Sequence, residues 1–290
     1  MRRRFAYDAA TVDLTDPFVL VTGASSGIGR CLALGLRDCG YSVFASARRD
    51  EDLEKLRQSG VHPLRLELGD SASVQNTARE VLAAAGDRFW GLVNNAAYGQ
   101  PSAVEDLDRD ALRRQFEVNV FGTHELTTAL LPVMRRRNAG RIVQISSILG
   151  LVSLPYRGAY NASKYALEAL TDALRLETTG TGIRVSLIEP GAIESRFREA
   201  ALENFRKLDV SAHSVHGETY RRLARQVETR RPIPFIRPPE AVLAAVVHAL
   251  ASPRPKIRYR VGPHAHVLAA LKRLLPDRLL DRIVLAVASR

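Results

Sequence analysis

Cysteine is nearly absent from this chain of 290 residues, which has only Cys31 and Cys39. Two thiols cannot build a disulfide framework. They form no CxxC or Cys/His cluster, so no metal site is expected and a reducing cytoplasm is the expected compartment. There is no apolar run of about 18 residues of the kind that spans a membrane. The opening stretch, MRRRFAYDAATVDLTD, is basic but has no apolar segment behind the charges, so it does not read as a signal peptide. Tandem repeats, low-complexity tracts and Pro/Gly/Ser-rich linkers are missing too, and a single large domain is the simplest organisation. Lysine is the other scarcity: Lys55, Lys164, Lys207, Lys256 and Lys272 stand against thirty-seven arginines.

The composition is 46% hydrophobic and 25% charged, ordinary for a chain that buries a core. The net charge of +11 is unevenly spread. Between Arg221 and Arg290 there are 15 Lys/Arg and 4 Asp/Glu, an excess equal to that of the whole chain. No recognition motif or aromatic–basic stripe accompanies the charge, so nucleic acid is not an expected partner. A solvated surface is the simpler reading; a patch for an anionic lipid surface or an acidic ligand is the rarer one.

Short apolar runs alternate with helical patterns. PFVLVTG (17–23), YSVFASA (41–47), VHPLRLEL (61–68), FWGLVNNA (89–96), GRIVQIS (140–146), IRVSLIEP (183–190) and KIRYRV (256–261) predict strands. Helices are predicted between them, including one long helix over 110–136 and another over 158–178. This alternation predicts an α/β fold, a doubly wound parallel sheet of Rossmann type in three α/β/α layers. Residues 195–230 break the regularity and read as an insertion beside the site. The domain is expected to span 1–263. The tail, 264–290, has helical periodicity on both sides of Pro276, which predicts two short basic amphipathic helices that pack on the domain or on a second subunit.

Two stretches carry chemistry. The first strand runs into Thr22-Gly23-Ala24-Ser25-Ser26-Gly27-Ile28-Gly29 and then into a helix. Gly23 permits a tight turn, Gly27 a close approach to a pyrophosphate, and Gly29 close packing of helix on sheet. The helix N-terminus then offers free N–H groups to the phosphate. In the middle of the chain, AYNASKYA (159–166) reads as helix and sets Tyr160 and Lys164 one turn apart on one face. Such a pair is either a plain surface contact or a phenol made more acidic by a neighbouring cation.

Taken together, these stretches resemble the short-chain dehydrogenase/reductase family, in its single-domain type with a TGxxxGIG loop and a YxxxK pair. The resemblance runs from about Phe18 to Ser195 and leans toward the retinol- and hydroxysteroid-dehydrogenase-like branch. Val93-Asn94-Asn95-Ala96-Ala97 resembles the family's NNAG, with Ala97 at the usual glycine. Asn119 in FEVNVFG matches the helix asparagine of the catalytic tetrad. Ser147 matches the catalytic serine, three residues before Gly150 and thirteen before Tyr160. Pro190-Gly191-Ala192-Ile193-Glu194-Ser195 resembles PGxxxT, with Ser195 keeping the hydroxyl.

The resemblance implies hydride transfer between a nicotinamide and a carbonyl or alcohol carbon. Tyr160 would be the acid/base and Ser147 would orient the substrate oxygen. Lys164 would grip the ribose and lower the Tyr160 pKa, and Asn119 would anchor a relay water. Arginine could not replace Lys164, being forked where a compact charge is needed. The cofactor set would comprise Gly23, Ser25, Ser26, Gly27, Ile28, Gly29, Glu67, Leu68, Asn94, Ala96, Tyr160, Lys164, Pro190, Gly191, Ile193 and Ser195, with Arg48 and Arg49. An acid at the end of the second strand usually selects NAD. Here Ala47 stands at that position, followed by Arg48 and Arg49 with no carboxylate expected nearby, so NADP(H) is the expected cofactor. Asp50 reads as a helix cap.

Between Ser147 and Tyr160, ILGLVSLPYRGA is mostly apolar, and a lipophilic carbonyl or alcohol is the expected substrate, with Ser147 and Tyr160 touching it. The resemblance implies a homo-oligomer, dimer or tetramer, since family members pack the two long helices (110–136 and 158–178) across subunits. Two alternatives belong to other classes. One is a catalytically silent NADP-binding sensor or scaffold, which intact Ser147, Tyr160 and Lys164 speak against. The other is a membrane-surface protein acting through its basic tail.

Overall fold

The computed structural model describes residues 16–208, 214–229 and 232–288. The basic start of the chain and parts of the 195–230 insertion lie outside the described residues. Seven apolar runs form seven strands: β1 (Phe18–Val21), β2 (Ser42–Ala47), β3 (His62–Arg65), β4 (Phe89–Asn94), β5 (Gly140–Ile145), β6 (Ile183–Pro190) and β7 (Arg258–Val261). They pair in parallel in the order β3-β2-β1-β4-β5-β6-β7. A parallel sheet needs a crossover between neighbouring strands and is covered on both faces, which explains why its strands are apolar throughout rather than alternating.

On one face, α1 (Gly27–Asp38), α2 (Asp50–Gln58) and α9 (Glu240–Ala251) bury Leu32, Leu36, Leu56, Val242, Val246 and Leu250 against Val19, Val21 and Val143. On the other, α3 (Ser71–Ala85) and α5 (Thr123–Arg136) bury Val74, Val81, Leu126, Leu130 and Met134 against Leu20, Leu92 and Ile142. The third helix of this layer is α6 (Gly158–Glu177). The chain doubles back between β1 and β4, so the strand order reverses there. In such sheets the crevice at the C-terminal ends of the strands at this reversal is where ligands bind.

The long helix expected over 110–136 is not continuous. It divides into α4 (Arg109–Phe116), a π-helical turn (Glu117–Gly122) and α5. The widened turn brings Gly122 against the Leu68 carbonyl, where a β-carbon would lie 1.9 Å from the oxygen. Such turns inside α-helices recur at functional sites, and this one carries Asn119. The insertion after β6 is also more regular than expected, containing α7 (Phe197–Phe205) and α8 (Gly217–Glu228). The tail forms α10 (Pro263–Leu274) and α11 (Asp277–Ala288), with Pro276 between them. Ala265 and Ala269 of α10 pack on Ile148 and Leu149, while Leu280 and Val284 of α11 pack on Val152. The tail thus backs the segment that follows Ser147.

Candidate active site

The site is assembled at the C-terminal ends of β1, β4, β5 and β6. At the end of β1 the chain turns through Gly23 (φ 68°) and Gly27 (φ 53°), a left-handed region that glycine enters without steric cost. A β-carbon on Gly23 would lie 2.8 Å from the Ala96 Cα, and one on Gly29 would lie 2.1 Å from the Gly23 carbonyl oxygen. Thr22 Oγ1 accepts from the backbone N–H groups of Asn95 and Ala96, each at 2.9 Å. The Asn95 side-chain amide donates to the Thr22 and Gly23 carbonyls at 2.9 and 3.2 Å. The α1 N-terminus has no acidic residue in its first turn and no side-chain cap at Ser26. Its N–H groups and dipole therefore favour an anion. A cradle too tight for side chains, ending in an uncapped helix, fits the pyrophosphate of a dinucleotide. Ala97 is exposed and its φ is not left-handed, so the departure from the usual glycine puts no strain on the turn.

At the end of β2, Ala47 is buried and the Arg48 side chain is 72% exposed. Here one expectation is corrected. A carboxylate does stand close, because the register of β3 on β2 pairs Ala47 with Arg65 and so carries Glu67 alongside. Glu67 Oε2 lies 3.5 Å from Arg48 Nη1, and Arg65 donates to the Arg48 carbonyl at 2.6 Å. Arg49 is engaged with Asp52 at 2.9 Å, which leaves Arg48 as the freer guanidinium. Asp50 is the first helical residue of α2 and pairs with Arg65 rather than capping; Arg49 occupies the N-cap position and makes no side-chain cap bond. Leu68 is buried behind the loop. The segment after β6 arrives from the other side: Gly191 N–H donates to the Val261 carbonyl at 2.9 Å, Ile193 bridges to Arg237, and Ser195 packs against Gly27.

The four residues of the expected tetrad come from three elements. Ser147 follows β5 and accepts from the Leu149 N–H at 3.1 Å, which opens a short 3-10 turn (Ile148–Gly150). Tyr160 and Lys164 lie in the first two turns of α6. Lys164 is 3% exposed; its Nζ donates to the Ile145 carbonyl at 2.8 Å and stands 5.7 Å from the Tyr160 ring centroid. Asn119 is buried in the π-turn. Its Oδ1 accepts from the Tyr98 N–H at 2.7 Å, and its Nδ2 donates to the Tyr98 carbonyl and to Ser163 Oγ, both at 3.0 Å. Ser163 in turn donates to the Tyr160 carbonyl at 2.9 Å. The Asn119 side chain is thus engaged in tying the loop after β4 to α6.

The electrostatics differ from expectation. Burial pushes the Tyr160 phenol up to about 12, against the opposing effects of a hydrogen bond from Ser147 and the charge of Arg157. Burial likewise pushes Lys164 down to about 8, with Glu168 working against it. The acidic phenol expected from AYNASKYA is not produced by these side chains, because desolvation penalises both charged forms.

Several participants had no sequence signal. Phe197 at the start of α7 packs its ring 5.2 Å from that of Tyr160. Gly99 makes room for it: a β-carbon there would lie 2.6 Å from Phe197 Cζ. Asn204 Nδ2 donates to the Gly99 carbonyl at 3.0 Å, so α7 is held over the phenol at two points. Farther out, Tyr220 of α8 accepts from the Ala103 N–H at 3.0 Å and donates to Asp106. Only the glycine at 99, between Tyr98 and Gln100, hinted at a close approach.

Comparison with known proteins agrees with this geometry. The family model described as short chain dehydrogenase matches residues 17–205. The chain is 40% identical over 266 residues to an uncharacterized oxidoreductase, YbbO, of Escherichia coli K12, covering 92% of this chain and 93% of that one. It is 33% identical over 277 residues to an NADPH-dependent 3-dehydrocapnine reductase of Ornithobacterium rhinotracheale, covering 92% and 95%. With mouse retinol dehydrogenase 5 the identity is 32% over 296 residues, covering 98% and 92%. Among solved structures, a short-chain dehydrogenase from Streptomyces avermitilis is 32% identical and superposes with a TM-score of 0.73, covering 90% and 97%. The likeness extends through the glycine cradle, the tyrosine–lysine helix and the covering segment beyond them, and the chain belongs to the short chain dehydrogenase family, in its retinol- and hydroxysteroid-dehydrogenase-like branch.

Proposed function

We propose that this oxidoreductase is NADP(H)-dependent and interconverts a carbonyl and an alcohol on a lipophilic small molecule. The observation that carries the reading is the convergence of Ser147, Tyr160 and Lys164 at the strand ends beside a glycine cradle. A nicotinamide cofactor in that cradle supplies the hydride, or takes it up, at the reacting carbon. The chain supplies the rest. Tyr160 holds its proton at neutral pH and, aimed at the substrate oxygen, can give it to a carbonyl. Ser147 Oγ holds the same oxygen in place. Lys164, compact and anchored on Ile145, would hold the ribose hydroxyls of the bound cofactor, and Asn119 keeps the Tyr98 loop and α6 in register.

The NADP preference is supported by exposed Arg48 beside Ala47 and by the NADPH dependence printed for the Ornithobacterium relative. The lipophilic substrate is supported by Ile148, Leu149, Leu151, Val152 and Leu154 after Ser147, and by Phe197 over the phenol. A panel of aldehydes, ketones and alcohols, followed by NADPH absorbance, tests the reading; it fails if no member of the panel is turned over.

A homo-oligomer in a cytoplasmic setting completes the proposal. Phe121 (52% exposed), Leu170 and Leu176 (62%) leave apolar surface on the π-turn and on α6. A second reading rests on the tail. Leu274, Leu279 and Leu285 are exposed beside Lys272, Arg273, Arg278 and Arg282, a face suited to an anionic membrane surface. No helix among the described residues is long and apolar enough to cross a membrane. Flotation with anionic vesicles, with and without residues 264–290, decides whether the tail binds a surface.

A further inference from the structure

Behind the tyrosine–lysine pair lies a buried charged cluster that the reaction does not use directly. Glu168 sits one helical turn beyond Lys164 on α6 and is 5% exposed. Its side chain and Ser146 Oγ both press on Gly150, where a β-carbon would lie 2.9 Å from Glu168 Cγ and 3.0 Å from Ser146 Oγ. Ser146 is the residue between Ile145, whose carbonyl anchors Lys164, and Ser147. Glu168 Oε1 and Ser146 Oγ are both buried without a hydrogen bond of good geometry among the described residues.

The other charged groups around Glu168 come from α6, β6 and β7. Arg258 of β7 reaches Glu168 at 3.2 Å, Glu189 of β6 at 2.9 Å and Asp172 of α6 at 2.5 Å, and Arg260 reaches Glu189 at 3.3 Å. Arg258 therefore serves three carboxylates. Lys164 lies one helical turn before Glu168 on α6, close enough for the carboxylate to favour its ammonium form, and has no ion-pair partner within contact distance among the described residues. A buried ammonium and a buried carboxylate one turn apart each favour the charged form of the other.

We propose that Glu168 is a positioning residue of this site: its carboxylate keeps Lys164 in the ammonium form and braces the β5 end on which Ser147 and the lysine anchor stand. This rests on the hydride-transfer reading of Lys164, but only for its consequence; the charge coupling stands by itself. Without Glu168, burial of Lys164 acts unopposed. The lysine then loses its proton at lower pH, and a neutral amine beside Tyr160 can neither favour phenolate nor hold its place as a cation.

The scarcity of lysine makes the test clean. In protein labelled at the lysine ε-carbons, the chain's five lysines give few signals, and Lys164→Met identifies the one that matters. The expected result is that Glu168→Gln moves the Lys164 titration down by about one pH unit, and that in the unaltered protein the Lys164 signal also shows a smaller step as Glu168 ionises. That second measurement needs no variant, so a poorly folding Glu168→Gln does not shelter the idea. A Lys164 titration that is the same in Glu168→Gln and shows no second step overturns the proposal. With turnover, the alkaline limb of the pH profile should move down in Glu168→Gln, mainly through kcat. If the coupling is seen in the lysine signal but no substrate is reduced, the proposal stands and the functional reading fails.

Discussion

At the scale of single residues, burial decides the chemistry. Tyr160 and Lys164 are neighbours as their spacing requires, yet both charged forms are disfavoured, so the phenol stands at about 12 and the ammonium at about 8. Tyr160→Phe should lower turnover by ~10²–10⁴-fold, the usual worth of a positioned proton donor, and leave NADPH affinity nearly intact. Lys164→Ala should damage both. Single-turnover kinetics and a fluorescence titration separate the two effects, and a Tyr160→Phe enzyme with normal turnover would refute the assignment. Arg48 offers a second residue-scale prediction. Ala47→Asp combined with Arg48→Ala should shift cofactor preference from NADPH toward NADH, because the new acid can bond a ribose hydroxyl and the phosphate loses its partner. Glu67→Gln alone should tighten NADPH binding, since it frees Arg48 from its carboxylate. Paired dissociation constants for the two cofactors check both.

At the scale of elements, α7 is the piece whose placement matters most. It is held over Tyr160 by the Phe197 ring and by the bond from Asn204 to the Gly99 carbonyl. Gly99→Ala would drive a methyl group into the Phe197 ring and turn it away from the phenol. The expected result is a rise of about tenfold in KM for an apolar substrate, with NADPH affinity unchanged, as befits a contact worth one or two methylenes. Phe197→Ala should act in the same direction. The double variant should add little to either single change, because both remove one contact. Additive effects would show that Gly99 and Phe197 act separately. The helical tail belongs to this scale too, since α10 and α11 cover Ile148, Leu149 and Val152, the apolar segment directly after Ser147.

At the scale of the whole molecule, the buried acid cluster makes stability depend on pH. Glu168 is pushed up to about 7 from 4.5, first by burial. Its folded-state pKa is raised, so its contribution is fully present below about 4.5 and is lost as pH rises through about 7. The amount is about 3 kcal/mol at most. Urea unfolding at pH 5 and pH 8 should show a smaller loss of stability with rising pH in Glu168→Gln than in the unaltered chain. Equal slopes would mean that Glu168 titrates normally. Assembly is the other whole-molecule property. The exposed apolar groups on the π-turn and α6 favour association, and sedimentation at micromolar concentration should show species heavier than the 32.0 kDa chain. A single species of that mass would exclude it.

Features that depend on near neighbours along the chain were legible without the fold. The parallel sheet was legible because each strand is a short apolar run bounded by turns. The cradle was legible because Gly23, Gly27 and Gly29 fall between a strand and a helix, and the YxxxK pair because four residues make one helical turn. The π-turn at Glu117–Gly122 was not legible, since FEVNVFG has ordinary helical periodicity and the widening answers to the Leu68 carbonyl, which lies far away in sequence. Nor was the approach of Glu67 to Arg48, which depends on the register of β3 on β2, or the seating of Phe197 on Tyr160 by Gly99. The upward push on the Tyr160 pKa comes from surroundings that only the fold assembles. Spacing placed the lysine beside the phenol, but desolvation of that phenol, with the Phe197 ring packed against it, outweighs the help of Ser147 and Arg157, because desolvation depends on everything that surrounds a group and not on its neighbours in the chain.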